Sequence, residues 1–214
     1  MTTQKPVVLI GAGGHAKVVL DLCEKTSLPV RGVIDASLPP DASFYGVPVL
    51  GNDSLLGDKA LKAVCRFVIA IGDGRVRREI ARRLASSGAE LITLIHPSAI
   101  VGARSTFGPG TVVFAGAVIN CDSVIGGHAI INTGARVDHD CRIGEGVHLC
   151  PGVVLAGTVA VGDWTMIGAG SVVSNNRAVG AHAMIGAGSV VVEDVPERSL
   201  AYGNPCSVRR LTGG

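Results

Sequence analysis

The chain has 214 residues, of which 47% are hydrophobic, 17% charged and 3% aromatic, and its formal net charge is +2. This length allows one or two domains, and 30 glycines with so few aromatic rings indicate a core of small aliphatic side chains. The balanced charge argues against a nucleic-acid-binding protein, which usually carries a basic patch, and the hydrophobic fraction argues against disorder. The uncharged stretch 146–162 contains four glycines and a proline, a poor composition for a spanning helix. We therefore expect a soluble protein without a nucleic-acid or membrane partner.

The cysteines indicate the compartment. All six are scattered among apolar neighbours without C-x-x-C pairing, and free cysteine in such surroundings packs as a small hydrophobe. The first apolar run, Val7–Ile10, is too short for the core of a signal peptide. We therefore expect reduced thiols and a cytoplasmic location. The spacing of histidine, cysteine and acidic residues predicts no metal site.

Residues 1–96 alternate strand-like and helix-like patterns, which is typical of a small α/β domain. Helices are predicted over residues 16–24, with Val18, Val19 and Leu22 facing the core, and over residues 75–84, with Val76, Ile80 and Leu84 facing it. The β-branched runs predicted as strands are residues 7–10, 31–35, 47–50, 67–71 and 91–95. The domain has about half the length of a full dinucleotide-binding fold.

After residue 96 the sequence follows a six-residue repeat. Sixteen consecutive positions at this spacing are apolar: Val101, Phe107, Val113, Ile119, Ile125, Ile131, Val137, Ile143, Leu149, Leu155, Val161, Ile167, Val173, Val179, Ile185 and Val191. The next residue is glycine at every third of these positions from 108 to 180. Faces of six residues with an 18-residue superperiod predict a triangular coil with three short strands per turn.

This repeat resembles that of the hexapeptide acyltransferases, which implies a left-handed parallel β-helix. The segment 202–208, YGNPCSV, resembles the G-N-P-A-x-V segment that commonly follows such a helix. Segments 11–19, 33–35 and 70–73 resemble the nucleotide-sugar N-acetyltransferases of bacterial 4-amino-4,6-dideoxy sugars, including the perosamine N-acetyltransferase-like enzymes and their sialic-acid O-acetyltransferase-like relatives. The resemblance implies an α/β, half-Rossmann-like nucleotide-sugar-binding domain over residues 1–96. It implies a β-helix acetyltransferase domain with a C-terminal tail over residues 97–214.

Residues 11–16 form a glycine-rich G-x-G-x-x-A loop between a predicted strand and a predicted helix. Such loops let backbone N–H groups approach a phosphate at the positive end of the helix. Asp35 lies 24 residues beyond Gly11, where an acidic side chain can meet a ribose or base. The alternative is a tight turn without a ligand. The resemblance implies a nucleotide-sugar site that includes Gly13, Gly14, His15, Asp35, Gly72 and Asp73.

The densest polar cluster of the repeat region is residues 138–145, DHDCRIGE. It resembles the family's E-H-E-x-x-I-G-E stretch, which implies that His139 is the general base and that Asp140 orients its ring. Adjacent residues of a regular strand point to opposite faces, so this pair must lie near a corner of the triangle. Cys141 follows closely, and hydrophobic packing is favoured for it over thiol catalysis.

The 18-residue superperiod places Gly157 directly over His139. The family uses a glycine amide to bind the oxyanion, which implies that role for Gly157. His148 matches a second family histidine that contacts the acetyl donor. His128 and His182 lack such support and are predicted to lie at the surface.

These residues predict an enzyme that transfers acetyl from acetyl-CoA to the 4-amino group of a nucleotide-linked 4-amino-4,6-dideoxy sugar. GDP-perosamine and a UDP-linked 4-amino sugar both stay open as acceptors, with lipopolysaccharide O-antigen biosynthesis as the implied setting. The alternatives are a sugar O-acetyltransferase of the same family and a non-catalytic nucleotide-binding trimeric scaffold. The flat aliphatic faces of a triangular coil predict a homotrimer.

Overall fold

The computed structural model describes residues 4–211, which divide after Leu94 into two compact units. We call residues 4–94 the N unit and residues 95–211 the C unit. No helix among the described residues is long and apolar enough to cross a membrane.

The N unit is a twisted sheet with strand order β3-β4-β2-β1-β5, parallel except for β3. The central strand β1 is buried along its whole length, as expected for a β-branched run in a parallel sheet. A 3-10 turn at Asp53–Gly57 follows β4. The bounds are β1 Val7–Ile10, α1 Gly14–Lys25, β2 Val30–Ile34, β3 Ser43–Phe44, β4 Val47–Gly51, α2 Lys59–Val64, β5 Arg66–Ile69 and α3 Gly74–Ser87.

The helices of the N unit extend beyond their predicted bounds and bury narrower faces than predicted. Val18 is 42% exposed and Val76 is 48% exposed, because each lies on the first turn, towards the side of the helix that faces water. The predicted strand over residues 91–95 is wrong. Leu91 makes a single bridge to Phe67, and the chain then leaves the sheet before the next strand begins.

The C unit is a left-handed parallel β-helix, as predicted. Each strand pairs in parallel with strands 18 residues away, so Val118 lies beside Arg136 and Ile119 beside Val137. The strands form three faces. The first holds β7 Ile100–Val101, β10 Val118–Ile119, β13 Arg136–Val137, β16 Val154–Leu155, β19 Val172–Val173 and β22 Val190–Val191. The second holds β8 Thr106–Phe107, β11 Val124–Ile125, β14 Arg142–Ile143, β17 Ala160–Val161 and β20 Ala178–Val179.

The third face begins at the boundary between the units and ends in a hairpin formed by the tail. Its strands are β6 Leu94–Ile95, β9 Val112–Val113, β12 Ile130–Ile131, β15 His148–Leu149, β18 Met166–Ile167, β21 Met184–Ile185, β23 Ser199–Gly203 and β24 Cys206–Leu211. The last two strands are antiparallel and carry the YGNPCSV segment.

The six-residue repeat forms the core of the C unit. Its residues are buried from Val113 to Val191, and they stack in columns because each coil repeats the one before it. The first two positions differ from the prediction, since Val101 is 39% exposed and Phe107 is half-buried. Both belong to the first coil, and β7 and β8 are the edge strands of their faces.

The corner between the second and third faces is aromatic. It carries Gly110, His128, Gly146, Trp164 and His182, each in the left-handed backbone conformation. The rings of two of these residues stack with centroids 6.4 Å apart, and the intervening glycine provides room for the indole. His128 is therefore 8% exposed, and the prediction that it lies at the surface is wrong.

This corner yields a stability prediction. A Cβ on Gly146 would overlap the Trp164 indole, whereas one on Gly134, at another corner, would meet nothing within 4 Å. Both glycines have a φ near +65°, so replacement by alanine carries the same backbone penalty of about 1 kcal/mol. We expect Gly146→Ala to cost about 1–3 kcal/mol more than Gly134→Ala, because of overpacking. Urea unfolding of the two variants measures the difference, and equal costs would contradict it.

Candidate functional site

The glycine-rich loop turns sharply between β1 and α1. Gly11 has a φ of +106°, and a Cβ there would lie 2.6 Å from Ile71 Cγ1 and 3.0 Å from the Ala70 carbonyl oxygen. Only glycine fits this close approach. The next residue, Ala12, donates its N–H to Asp35 Oδ2 over 2.7 Å, so the loop is tied to the end of β2.

Asp35 is held by three donors. Besides the Ala12 N–H, its Oδ1 accepts from the Ser37 N–H at 2.8 Å and from the Ser37 hydroxyl at 2.5 Å. Partial burial raises the pKa of Asp35, but these hydrogen bonds outweigh it and leave the pKa below its ordinary value. Asp35 is therefore an ionised group in a fixed position. Ser37 escaped the sequence interpretation, although an Asp-x-Ser turn is its signal.

The N-terminus of α1 is open. Gly13 is its N-cap without a side-chain cap, and the first turn contains no acidic residue. A Cβ on Gly13 or Gly14 would meet nothing within 4 Å, so packing within the chain does not require glycine at either position. The exposed N–H groups and the positive end of the helix together suit an anion.

The other predicted acceptor residues lie beside this loop or cap a helix. A Cβ on Gly72 would lie 3.9 Å from His15 Cβ. Asp73 caps α3, its Oδ1 accepting from the Arg75 N–H at 2.8 Å and the Val76 N–H at 3.1 Å. Burial lowers the pKa of His15 to about 4, helped by a neighbouring positive charge, so this imidazole is neutral at physiological pH.

A cavity of about 240 Å³ opens beside Asp35. Apolar side chains of two strands and of α3 form its walls, and carboxylates and a hydroxyl provide its polar groups. It is lined by Ile10, Gly11, Ile34, Asp35, Ala36, Ser37, Asp53, Ile71, Val76 and Ile80. Of the residues predicted to bind the acceptor, Asp35 lines this cavity, and Gly13, Gly14, His15, Gly72 and Asp73 are outside its lining.

In the C unit, His139 and Asp140 form the turn between β13 and β14. Asp140 has a φ of +59°, and this left-handed corner brings two adjacent side chains together. Nδ1 of the imidazole lies 2.8 Å from Asp140 Oδ2. The hydrogen bond to Asp140 raises the pKa of His139, and the charge of Asp138 raises it further. Both side chains of the pair are more than half exposed.

Gly157 lies against the other side of the same ring. A Cβ there would be 2.7 Å from both His139 Cε1 and Nε2, so a larger residue would displace the imidazole. The coils are joined here by the Thr158 N–H, which donates to the His139 carbonyl over 2.9 Å. The Gly157 N–H donates to no other residue within the described chain. The imidazole Nε2 thus borders a slot that also contains an available amide.

Asp138 and Asn120 complete this corner, and the sequence interpretation assigned neither a role. Asp138 Oδ1 accepts from Asn120 Nδ2 at 2.7 Å and from the His139 N–H at 2.8 Å. These two bonds lower the pKa of Asp138, which keeps a negative charge beside the ring. The 18-residue separation of Asn120 and Asp138 is the signal that could have paired them.

His148 and Cys141 lie elsewhere on the coil. His148 belongs to β15 on the third face, where the Asn132 amide nitrogen is 3.2 Å from its Nε2, so it does not share the corner of His139. Cys141 points into the core and is fully buried, which agrees with packing rather than thiol chemistry, and burial raises its pKa. No cluster of potential metal ligands occurs within residues 4–211.

Family models match both units. Residues 6–84 match the PglD N-terminal domain, and residues 140–175 match the bacterial transferase hexapeptide repeats. A curated relative, UDP-N-acetylbacillosamine N-acetyltransferase of Bacillus subtilis, is 38% identical over 119 residues, which are 52% of each protein. The match therefore spans about half the length of that enzyme.

Solved structures match over nearly the whole chain. A variant of perosamine N-acetyltransferase from Caulobacter crescentus, in complex with CoA and GDP-perosamine, is 43% identical and has a TM-score of 0.91. The match covers 96% of this chain and 97% of that one. The acetyltransferase domain of PglB from Neisseria gonorrhoeae, in complex with acetyl coenzyme A, is 35% identical with a TM-score of 0.90, over 96% of this chain and 100% of that one. The predicted resemblance and fold class are confirmed, and the chain belongs to the hexapeptide-repeat N-acetyltransferases of nucleotide-linked amino sugars.

Proposed function

We propose that this chain transfers the acetyl group of acetyl-CoA to the 4-amino group of a nucleotide-linked 4-amino-4,6-dideoxy sugar. The observation that carries the proposal is the corner at His139. One ring nitrogen is bound to a carboxylate, and the other faces a glycine slot with an available amide. The complexes of the relatives with CoA, acetyl coenzyme A and GDP-perosamine support both substrates.

The hydrogen bond to Asp140 fixes the proton of the neutral ring on Nδ1, which leaves Nε2 as the base. Nε2 of His139 takes a proton from the amine as its nitrogen attacks the thioester carbonyl carbon. The Gly157 N–H stabilises the negative charge that develops on the carbonyl oxygen. The carbon–nitrogen bond forms, the carbon–sulfur bond breaks, and the thiolate of coenzyme A leaves. His148 is proposed to contact the acetyl donor.

The N unit is proposed to hold the acceptor. The uncapped N-terminus of α1 at Gly13 and Gly14 suits the diphosphate. The fixed carboxylate of Asp35, at the rim of an apolar cavity, suits N–H or O–H donors of a base or ribose. The nearly full-length match to a GDP-perosamine-binding relative favours a GDP-linked acceptor over a UDP-linked one. Thiol release from acetyl-CoA with a panel of both acceptor types decides this.

Two alternatives differ in what they require of the His139 corner. A sugar O-acetyltransferase would use the same base and amide on a hydroxyl, and a panel of hydroxyl and amino acceptors separates the two reactions. A non-catalytic scaffold has no need of an imidazole packed against an open amide. Its test is the absence of thiol release with every acceptor.

Replacement of the base has a defined effect. We expect His139→Asn to lower kcat by roughly a hundredfold or more, the usual scale for a general base, while the Kd for acetyl-CoA changes little. His182→Asn, at a different corner, is the matched control and is expected to keep full activity. Near-normal turnover of His139→Asn would remove this residue from the mechanism.

The pH dependence follows from the carboxylate beside the ring. The base works when it is neutral, so kcat/KM falls as the pH drops through the pKa of His139. Because Asp140 raises that pKa, Asp140→Asn is expected to move the acidic limb of the profile to lower pH. The imidazole titration followed by NMR must shift in the same direction. An unchanged limb in the folded variant would show that Asp140 does not control the base.

The acceptor site is tested at Asp35. We expect Asp35→Ala to raise the KM for the nucleotide sugar roughly tenfold, the scale of a lost charged hydrogen bond. The KM for acetyl-CoA should remain unchanged. Asp21→Ala, which removes an exposed carboxylate from α1, is the control. A parallel rise of both constants would contradict separate sites for donor and acceptor.

Assembly into a homotrimer is also proposed. Outward strand residues of the coil are apolar and exposed, among them Val124 at 42%, Val172 at 38% and Met184 at 45%, and a monomer rarely leaves such surface uncovered. A closed threefold arrangement would combine His139 of one subunit with backbone of the next. Light scattering should therefore give about three times 21.7 kDa. A fully active monomer would contradict both the assembly and the shared site.

A further inference from the structure

Arg77 is a buried cation that the proposed mechanism leaves without a role. It lies on the first turn of α3 and is 2% exposed, and it is the largest fully buried side chain of the described chain. A guanidinium is almost never buried unless hydrogen bonds and opposite charge compensate it. Its partners therefore show what its burial achieves.

The guanidinium reaches back to the turn that precedes its own helix. Nη1 donates to the Gly72 carbonyl at 2.8 Å and to the Ile71 carbonyl at 3.1 Å. Burial lowers the pKa of Arg77 to about 10, against the opposing effect of the nearby Asp73. Arg77 is therefore still a cation at neutral pH, and it pins the carbonyls of this turn from below.

That turn supports both ends of the glycine-rich loop. Ile71 occupies the space where a Cβ of Gly11 would lie, 2.6 Å from that position. Gly72 packs beside His15, with 3.9 Å between the position of its absent Cβ and His15 Cβ. A shift of this turn would therefore move the start of the loop and the first turn of α1 together.

We propose that Arg77 is a positioning residue for the nucleotide-linked acceptor: by holding the Ile71–Gly72 turn, it fixes the loop from Gly11 to His15, whose amides receive the diphosphate. The proposal rests on the proposed function, which assigns the acceptor to this loop. Arg77 itself touches neither substrate, since it is buried beneath the turn.

The same guanidinium acts on His15 electrostatically. Burial and then the positive charge of Arg77 lower the pKa of His15. The other charged groups nearby are Asp73 at the cap of α3, Lys17 on α1, and Asp35, which binds the Ala12 N–H at the end of β2. Removal of Arg77 should therefore raise the pKa of His15 towards its ordinary value. A purely structural role would leave the order of these titrations unchanged.

The experiment uses the full chain with Arg77→Met, Arg77→Lys and, as the matched control, Arg82→Met, which removes an exposed guanidinium from the same helix. Calorimetry measures the Kd for GDP and for UDP. Kinetics give the KM values for the nucleotide sugar and for acetyl-CoA. NMR follows the His15 imidazole without ligand, assigned through His15→Asn, and thermal unfolding checks the fold.

We expect Arg77→Met to weaken nucleoside diphosphate binding and to raise the acceptor KM roughly tenfold, with the acetyl-CoA KM unchanged and the His15 titration moved to higher pH. Arg77→Lys should lie between this variant and the native chain, because it keeps the charge but loses the fork of donors. Arg82→Met should match the native chain.

A folded Arg77→Met with native diphosphate affinity would overturn the inference. If Arg77→Met does not fold, Arg77→Lys decides, and native affinity in that variant overturns the inference equally. Failure of the proposed function has a different signature: the native chain then binds neither diphosphate and releases no thiol. The His15 titration, which needs no ligand, still reports whether Arg77 acts on this residue.

Discussion

The hydrogen-bonded stacking of one coil on the next is the constraint on which the C unit depends. Each turn amide donates to a carbonyl of the preceding coil, as the Asp140 N–H does to Cys121 and the Gly146 N–H to Gly127. Every side chain therefore has its neighbours set 18 residues away, whatever its own identity. The contact between His139 and Gly157 is a direct result of this spacing, and so is the pairing of Asn120 with Asp138.

This constraint explains why so much of the C unit could be predicted from the sequence. The inward column from Val113 to Val191 follows from counting alone, because a regular coil converts sequence position into burial. The same regularity placed Gly157 over His139. Counting failed where the coil ends, at Val101, and where a corner side chain is covered, at His128, because burial there depends on the end of the stack and on which ring the neighbouring coil supplies.

The N unit was less predictable, since its functional geometry arises from contacts without a period. The glycine-rich loop and Asp35 could be recognised by spacing. The Ser37 hydroxyl on Asp35 and the Arg77 guanidinium under the Ile71–Gly72 turn could not, because each depends on how a side chain folds back onto backbone that precedes it. An arginine on an amphipathic helix normally lies in water, and nothing in the local sequence distinguishes Arg77 from its exposed neighbours.

The left-handed corner at Asp140 makes the base and its carboxylate consecutive residues, and their glycine partner is one full coil away. The working part of the C unit is thus contained in little more than one turn of a translationally periodic structure. Coils above or below this turn can be added or removed in steps of 18 residues without altering the spacing from His139 to Gly157, whereas an insertion of any other length between these two residues breaks their register. Chain length in this unit is therefore quantised around the site, and lineages of such proteins are free to differ in height while keeping the same chemistry.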